Sequence, residues 1–142
     1  MSSKSKLTVN PEEPVYDREK LITSAKNINR VLRNIGVNPE KLYEKQDIFG
    51  LWEAYLAGKQ SAFTEVLLRS LTHKSTAAIR KAFDDNSDFH NQVIRYLFLM
   101  DMVIKDMLNS EAATRDELIN FSVNQSLDKV YFVLVKALNS AE

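Results

Sequence analysis

The chain contains no cysteine, and only three prolines and three glycines in 142 residues. Without cysteine there is no disulfide frame, thiolate nucleophile, zinc finger or iron–sulfur site. Neither glycine nor proline occurs from Lys59 to Glu142. That stretch therefore excludes a sandwich or barrel rich in tight turns. It also excludes a glycine-based phosphate loop, a dinucleotide-binding fingerprint and a nucleophile elbow. Long apolar runs are missing as well. The most apolar stretch, Val93 to Ile104, holds 10 apolar residues in 12 and is interrupted by Arg95 and Asp101. A bilayer span needs about 20, so this segment reads as a buried or interfacial helix. Met1 to Lys6 is polar with no apolar core behind it, so no secretory signal is expected and the expected location is cytoplasmic.

Charge of either sign is also lacking in net terms, since 19 basic and 19 acidic residues cancel. The distribution is uneven. Lys59 to Phe83 carries five bases against Glu65, a balance of +4, whereas Asp101 to Glu142 carries seven acids against four bases, a balance of −3. Such asymmetry steers a partner or holds two parts of one fold together.

What is present is helical periodicity. Residues 1–15, polar with two prolines, read as a flexible tail. Residues 16–142 read as one all-helical domain of about six helices in an orthogonal or mixed bundle. Asp17 is an N-cap candidate, and Leu21, Ala25, Ile28, Leu32 and Ile35 recur at helical spacing before Gly36, a left-handed C-cap candidate. Asn38 and Pro39 open a second helix. It continues or restarts near Asp47, carrying Leu51, Trp52, Tyr55 and Leu56 towards Gly58. Ser61 opens a third helix and Ser75 a fourth; Ser87 or Asp88 caps the fifth, through about Asn109. Thr114 and Glu117 form a capping-box pair ahead of Leu118 to Leu138. That last region, β-prone by composition at Val130 to Val135, keeps helical spacing, as one helix or with a break near Asn124 to Ser126.

The tests for chemistry return little. His73 and His90 are 17 residues apart, not at the one-turn spacing that sets two imidazoles on one helical face. Asp84, Asn86 and Asp88 mimic the start of a calcium loop, but Phe89 and Arg95 occupy the positions of its glycine and its closing glutamate. Acids within apolar segments are Glu53, Asp101 and Asp106, with Asp101 and Lys105 expected to pair along the helix. No metal or cofactor and no enzymatic activity are expected.

Two functional readings remain. The favoured one is a protein–protein interaction module, an adaptor, regulatory subunit or homodimer. On the fifth helix, Ile94, Phe98 and Met102 fall in the otherwise polar sector; on the last, Phe121, Phe132 and Val135 lie opposite the main apolar face. All-round apolar helices are either surrounded or bear an interface. The two readings balance for the fifth helix, whereas the last, as a terminal helix, is expected to lie at the domain edge. The alternative is a nucleic-acid-binding regulator. The third and fourth helices have helix-turn-helix proportions, with Thr76, Arg80 and Lys81 on the outer face and Lys59, Arg69 and Lys74 placed for backbone contacts. The pI near 6.7 is low for a dedicated binder. Trp52 and Tyr55 read as core aromatics.

Overall fold

Asp17 accepts backbone hydrogen bonds from Glu19 and Lys20 and so starts helix α1 (Arg18–Asn34), whose Leu21, Ala25, Ile28 and Leu32 are buried. A computed structural model describes residues 17–139; the predicted tail, 1–15, lies outside the described residues. Helix α1 ends as its sequence requires. Gly36 takes φ +90°, its N–H bonds to the Arg33 carbonyl, and the Val37 N–H bonds to the Leu32 carbonyl. This paired closure satisfies two carbonyls that would otherwise be orphaned. Gly58 (φ +119°) closes a later helix in the same way, with Gly58 on the Tyr55 carbonyl and Lys59 on the Ala54 carbonyl.

Eight helices and no strand occur among the described residues, so the chain is all-α. Beyond α1 they are α2 (Pro39–Leu42), α3 (Ile48–Leu56), α4 (Ala62–Ser70), α5 (His73–Asp85), α6 (Ser87–Asn109), α7 (Ala112–Asn124) and α8 (Leu127–Asn139). The excess over about six comes from two breaks. Asp47 caps α3 anew, accepting the Gly50 N–H at 3.1 Å, so α2 and α3 are separate. At the second, Ser126 adopts φ +57° and divides α7 from α8. With no glycine in this half of the chain, a serine occupies the left-handed position, and its hydroxyl donates to the Glu40 carboxylate.

Three predicted caps move. Helix α5 is capped by Thr72, whose hydroxyl oxygen accepts the Ser75 N–H at 3.0 Å, so Ser75 is a donor and not the cap. Asn86, not Ser87 or Asp88, caps α6 by accepting the Phe89 N–H. The capping box of Thr114 and Glu117 does not form, because α7 already begins at Ala112 and Glu117 turns to bind Arg18. In each case the helix starts earlier than the apolar periodicity does.

Helices α6 and α8 form the centre. Helix α6 packs against α1, α5, α7 and α8; α8 packs against α1, α2, α4, α5, α6 and α7. The expectation that α8 lies at an edge is therefore overturned. Leu127, Val130, Tyr131, Phe132, Val133, Leu134 and Ala137 are all buried. An apolar run without a polar face finds burial by being surrounded.

Candidate docking site

The apolar residues singled out as surplus separate into two groups. Phe132, at 2% exposure, belongs to the core. Its ring stacks on Phe63 at 4.1 Å between centroids, and Trp52 and Tyr55 meet it edge-on at 5.9 and 5.5 Å. It presents no outer surface, which corrects its assignment as a partner contact. Trp52 is buried in the core as the sequence placed it, and Tyr55, half-buried, packs against it. Phe121 is half-buried beneath the Arg18 guanidinium, which sits 4.5 Å from its ring centre while forming a two-pronged ion pair with Glu117. It ties α1 to α7 instead of facing outward. Val135 is half-buried and lines a shallow cleft of about 380 Å³ with Leu68, an exposed leucine on α4 that the sequence reading did not single out.

Ile94 and Phe98 do face solvent, at 51% and 64% exposure, with Met102 half-buried beside them. Leu108, 53% exposed, extends this face. At 100° and 1.5 Å per residue it lies within about 40° of Ile94 around α6 and about 21 Å further along. Asp101 and Lys105, both exposed, stand between these apolar residues. Asp101 accepts the Tyr131 hydroxyl at 2.6 Å, a bond across helices in place of the expected pairing with Lys105. Burial and the adjacent Asp101 carboxylate together push the Tyr131 phenol well above its ordinary range, so it stays a donor. The face is thus an apolar strip with one acid and one base at its middle, held on a helix whose other side is the core.

The basic pair of helices takes a different form. The α4–α5 turn holds Leu71 and Thr72, and Lys74, Thr76, Arg80 and Lys81 lie on α5. Lys59 pairs with Glu65 at 3.1 Å and Lys81 with Asp85 at 2.8 Å. The Ser61 hydroxyl and Lys59 hold the Glu65 carboxyl below its ordinary range, and Asp85 holds the Lys81 ammonium above its own. Thr76, Arg80 and Lys81 share an open cleft with His73, Asp84 and Asp85, so acids interrupt the basic face. Arg69 and Lys74 are exposed. His90 is occupied structurally: its ring lies against Phe83 at 4.1 Å, and Nδ1 is 3.2 Å from the Phe83 carbonyl oxygen.

Two features escaped the sequence reading. One is an open groove of about 640 Å³ between α3 and α7, lined by Phe49, Leu56 and Ile119 with Asp47, Glu53 and Asp116. Arg115 also lines it, but its Nε and Nη2 donate to the Met107 and Ser110 carbonyls and close the end of α6. The other is Asp128, fully buried in the first turn of α8. One carboxylate oxygen accepts the Trp52 indole N–H at 2.9 Å and the other the Lys129 backbone N–H at 2.8 Å. Desolvation pushes its carboxyl up to about 6, against the opposing pull of those hydrogen bonds and of the Lys129 ammonium. The sequence carried no signal for it: Asp128 stands between Leu127 and Lys129, ahead of the apolar run, and its core partner Trp52 is 76 residues away. Among the described residues no three His, Cys, Asp or Glu side chains converge as metal ligands, and no helix is long and apolar enough to cross a membrane.

No protein-family model matches this chain, and neither a curated protein nor a solved structure matches it. The all-helical fold and the surfaces just described are therefore the whole basis for a functional reading.

Proposed function

We propose that this chain is a non-enzymatic helical interaction module, a cytoplasmic adaptor or regulatory subunit that docks a protein partner through the outer face of α6. The observation that carries this reading is the exposure of Ile94 and Phe98, large apolar side chains one turn apart on a helix anchored in the core. Exposed apolar clusters on folded domains mark interaction surfaces more often than isolated apolar residues do. A rigid helix presenting such residues at i and i+4 matches the helix-face mode of recognition. The nucleic-acid reading has less support, because Lys59 and Lys81 already have acidic partners and Asp84 and Asp85 share the α5 face.

The test is a photo-crosslinking phenylalanine analogue at position 98, compared with the same analogue at exposed Arg30. The expected result is an adduct with an identifiable protein from position 98 alone. Once purified, that protein should bind the native chain and lose binding to Ile94→Lys, whose helix content should be unchanged. Absence of any adduct specific to position 98 would overturn the reading.

A further inference from the structure

The C-terminal part of the outer face of α6, from Phe98 to Leu108, is self-complementary about the level of Val103. Phe98 and Leu108 are equidistant from Val103, and so are Asp101 and Lys105. All four side chains are exposed. Resting on the reading of this face as a docking site, we propose that its occupant is a second copy of the chain, with the two α6 helices antiparallel about a two-fold axis that crosses the outer face level with Val103, whose own side chain is buried on the opposite side. In that arrangement Phe98 of each copy shares a layer with Leu108 of the other, and Asp101 with Lys105. Each contact occurs twice, as a two-fold interface requires.

Charge selects this alignment over the alternative. A parallel pairing in register sets Asp101 against Asp101 and Lys105 against Lys105, which is repulsive at both sites. The antiparallel pairing turns both into acid–base contacts. Like charges facing one another across an interface cost far more than a rim ion pair contributes, so the pattern works chiefly by excluding the wrong alignment. Asp101 remains able to take the additional partner. Only one of its oxygens is engaged by Tyr131, and an ionised carboxylate accepts about four hydrogen bonds. At the two flanks Phe98 and Leu108 supply the apolar area, the part of a small interface that gives it affinity.

The experiment uses the full-length chain and sedimentation equilibrium over a concentration series. The native chain should show a monomer–dimer equilibrium. Lys105→Asp should weaken it, because acid then faces acid, and the double exchange of Asp101→Lys with Lys105→Asp should restore it. Because Asp101 also holds Tyr131, a second arm avoids that residue. In a chain that lacks native cysteine, Phe98→Cys and Leu108→Cys proteins are mixed and oxidised. A disulfide joining the two different variants, formed in preference to disulfides between like variants, is the expected product. Preference for like-variant disulfides would overturn the register while leaving docking at this face intact. A native chain monomeric throughout the series would overturn the second copy as occupant, and a position-98 adduct with a different protein would then keep the docking reading alone.

Discussion

The Trp52 indole nitrogen donates to the carboxylate of Asp128 at 2.9 Å, across 76 residues of sequence and inside the core. It joins α3 to the first turn of α8 through a charged group that no water reaches. The start of a helix favours negative charge, and the Lys129 ammonium, itself paired with Glu40, adds to that preference. Desolvation nevertheless outweighs both.

The consequence is a pH dependence of definite sign. The Asp128 carboxyl titrates near 6 when folded and at an ordinary 3.8 when unfolded. Its contribution to stability is therefore complete below the unfolded value and is lost as pH rises through the folded one. The loss between pH 4 and pH 7 amounts to about 2 kcal/mol. The expected result is a denaturation midpoint that falls over this range more steeply in the native chain than in Asp128→Asn. Trp52, the single tryptophan, should report the same titration by fluorescence near pH 6, and that transition should vanish in Asp128→Asn. Equal slopes in the two proteins would refute the assignment.

Phe132 and Phe98 make a matched pair, one in the core and one on the surface. Phe132→Ala removes the ring stacked on Phe63 and should cost about 3–5 kcal/mol in equilibrium unfolding. Phe98→Ala, where the ring is exposed, should change monomer stability by no more than about 0.5 kcal/mol. Comparable costs at the two positions would contradict the burial pattern.

Ser122 is fully buried on α7, and its hydroxyl has no hydrogen-bond partner. An unsatisfied buried hydroxyl is destabilising, and alanine is the better helix former at nearly the same volume. Ser122→Ala should raise stability by about 1 kcal/mol, measured as a higher urea midpoint with unchanged slope. A loss of stability would show that the hydroxyl is satisfied after all.

Gly36 has open space where a Cβ would stand, so any cost of a side chain there is conformational. Gly36→Ala should destabilise by about 1–2 kcal/mol, because left-handed backbone is unfavourable for alanine. Chemical denaturation measures this directly. Since no neighbour is displaced, the cost should remain when Ile35 or Val37 is shortened.

Much of the local structure was legible in the residues themselves. Asp17, Gly36, Pro39 and Gly58 mark helix ends through interactions that span only a few residues, so each sits where it was expected. Caps at Thr72 and Asn86 were misplaced by only a few residues, because several neighbouring polar side chains compete for the same backbone N–H groups. The break at Ser126 was harder to place, since a serine in left-handed backbone gives no glycine signal.

The functional surface was only partly legible. An apolar residue on the polar side of a helix has one sequence signature whether a neighbour covers it or not. Ile94, Phe98, Phe121 and Phe132 shared that signature, yet Phe132 lies in an aromatic core and Phe121 under Arg18, while the other two face solvent. Asp128 and the α3–α7 groove gave no useful sequence signal, because each is assembled from segments far apart in the chain.

The scarcity of glycine and proline, with regular apolar spacing, determined that this chain is built of helices and where most begin and end. Those are short-range matters of backbone hydrogen bonding and side-chain period. Which helix stands at the centre was decided by tertiary packing alone. Burial depends on what the rest of the chain brings alongside, and it set α8 in the core and left one face of α6 open.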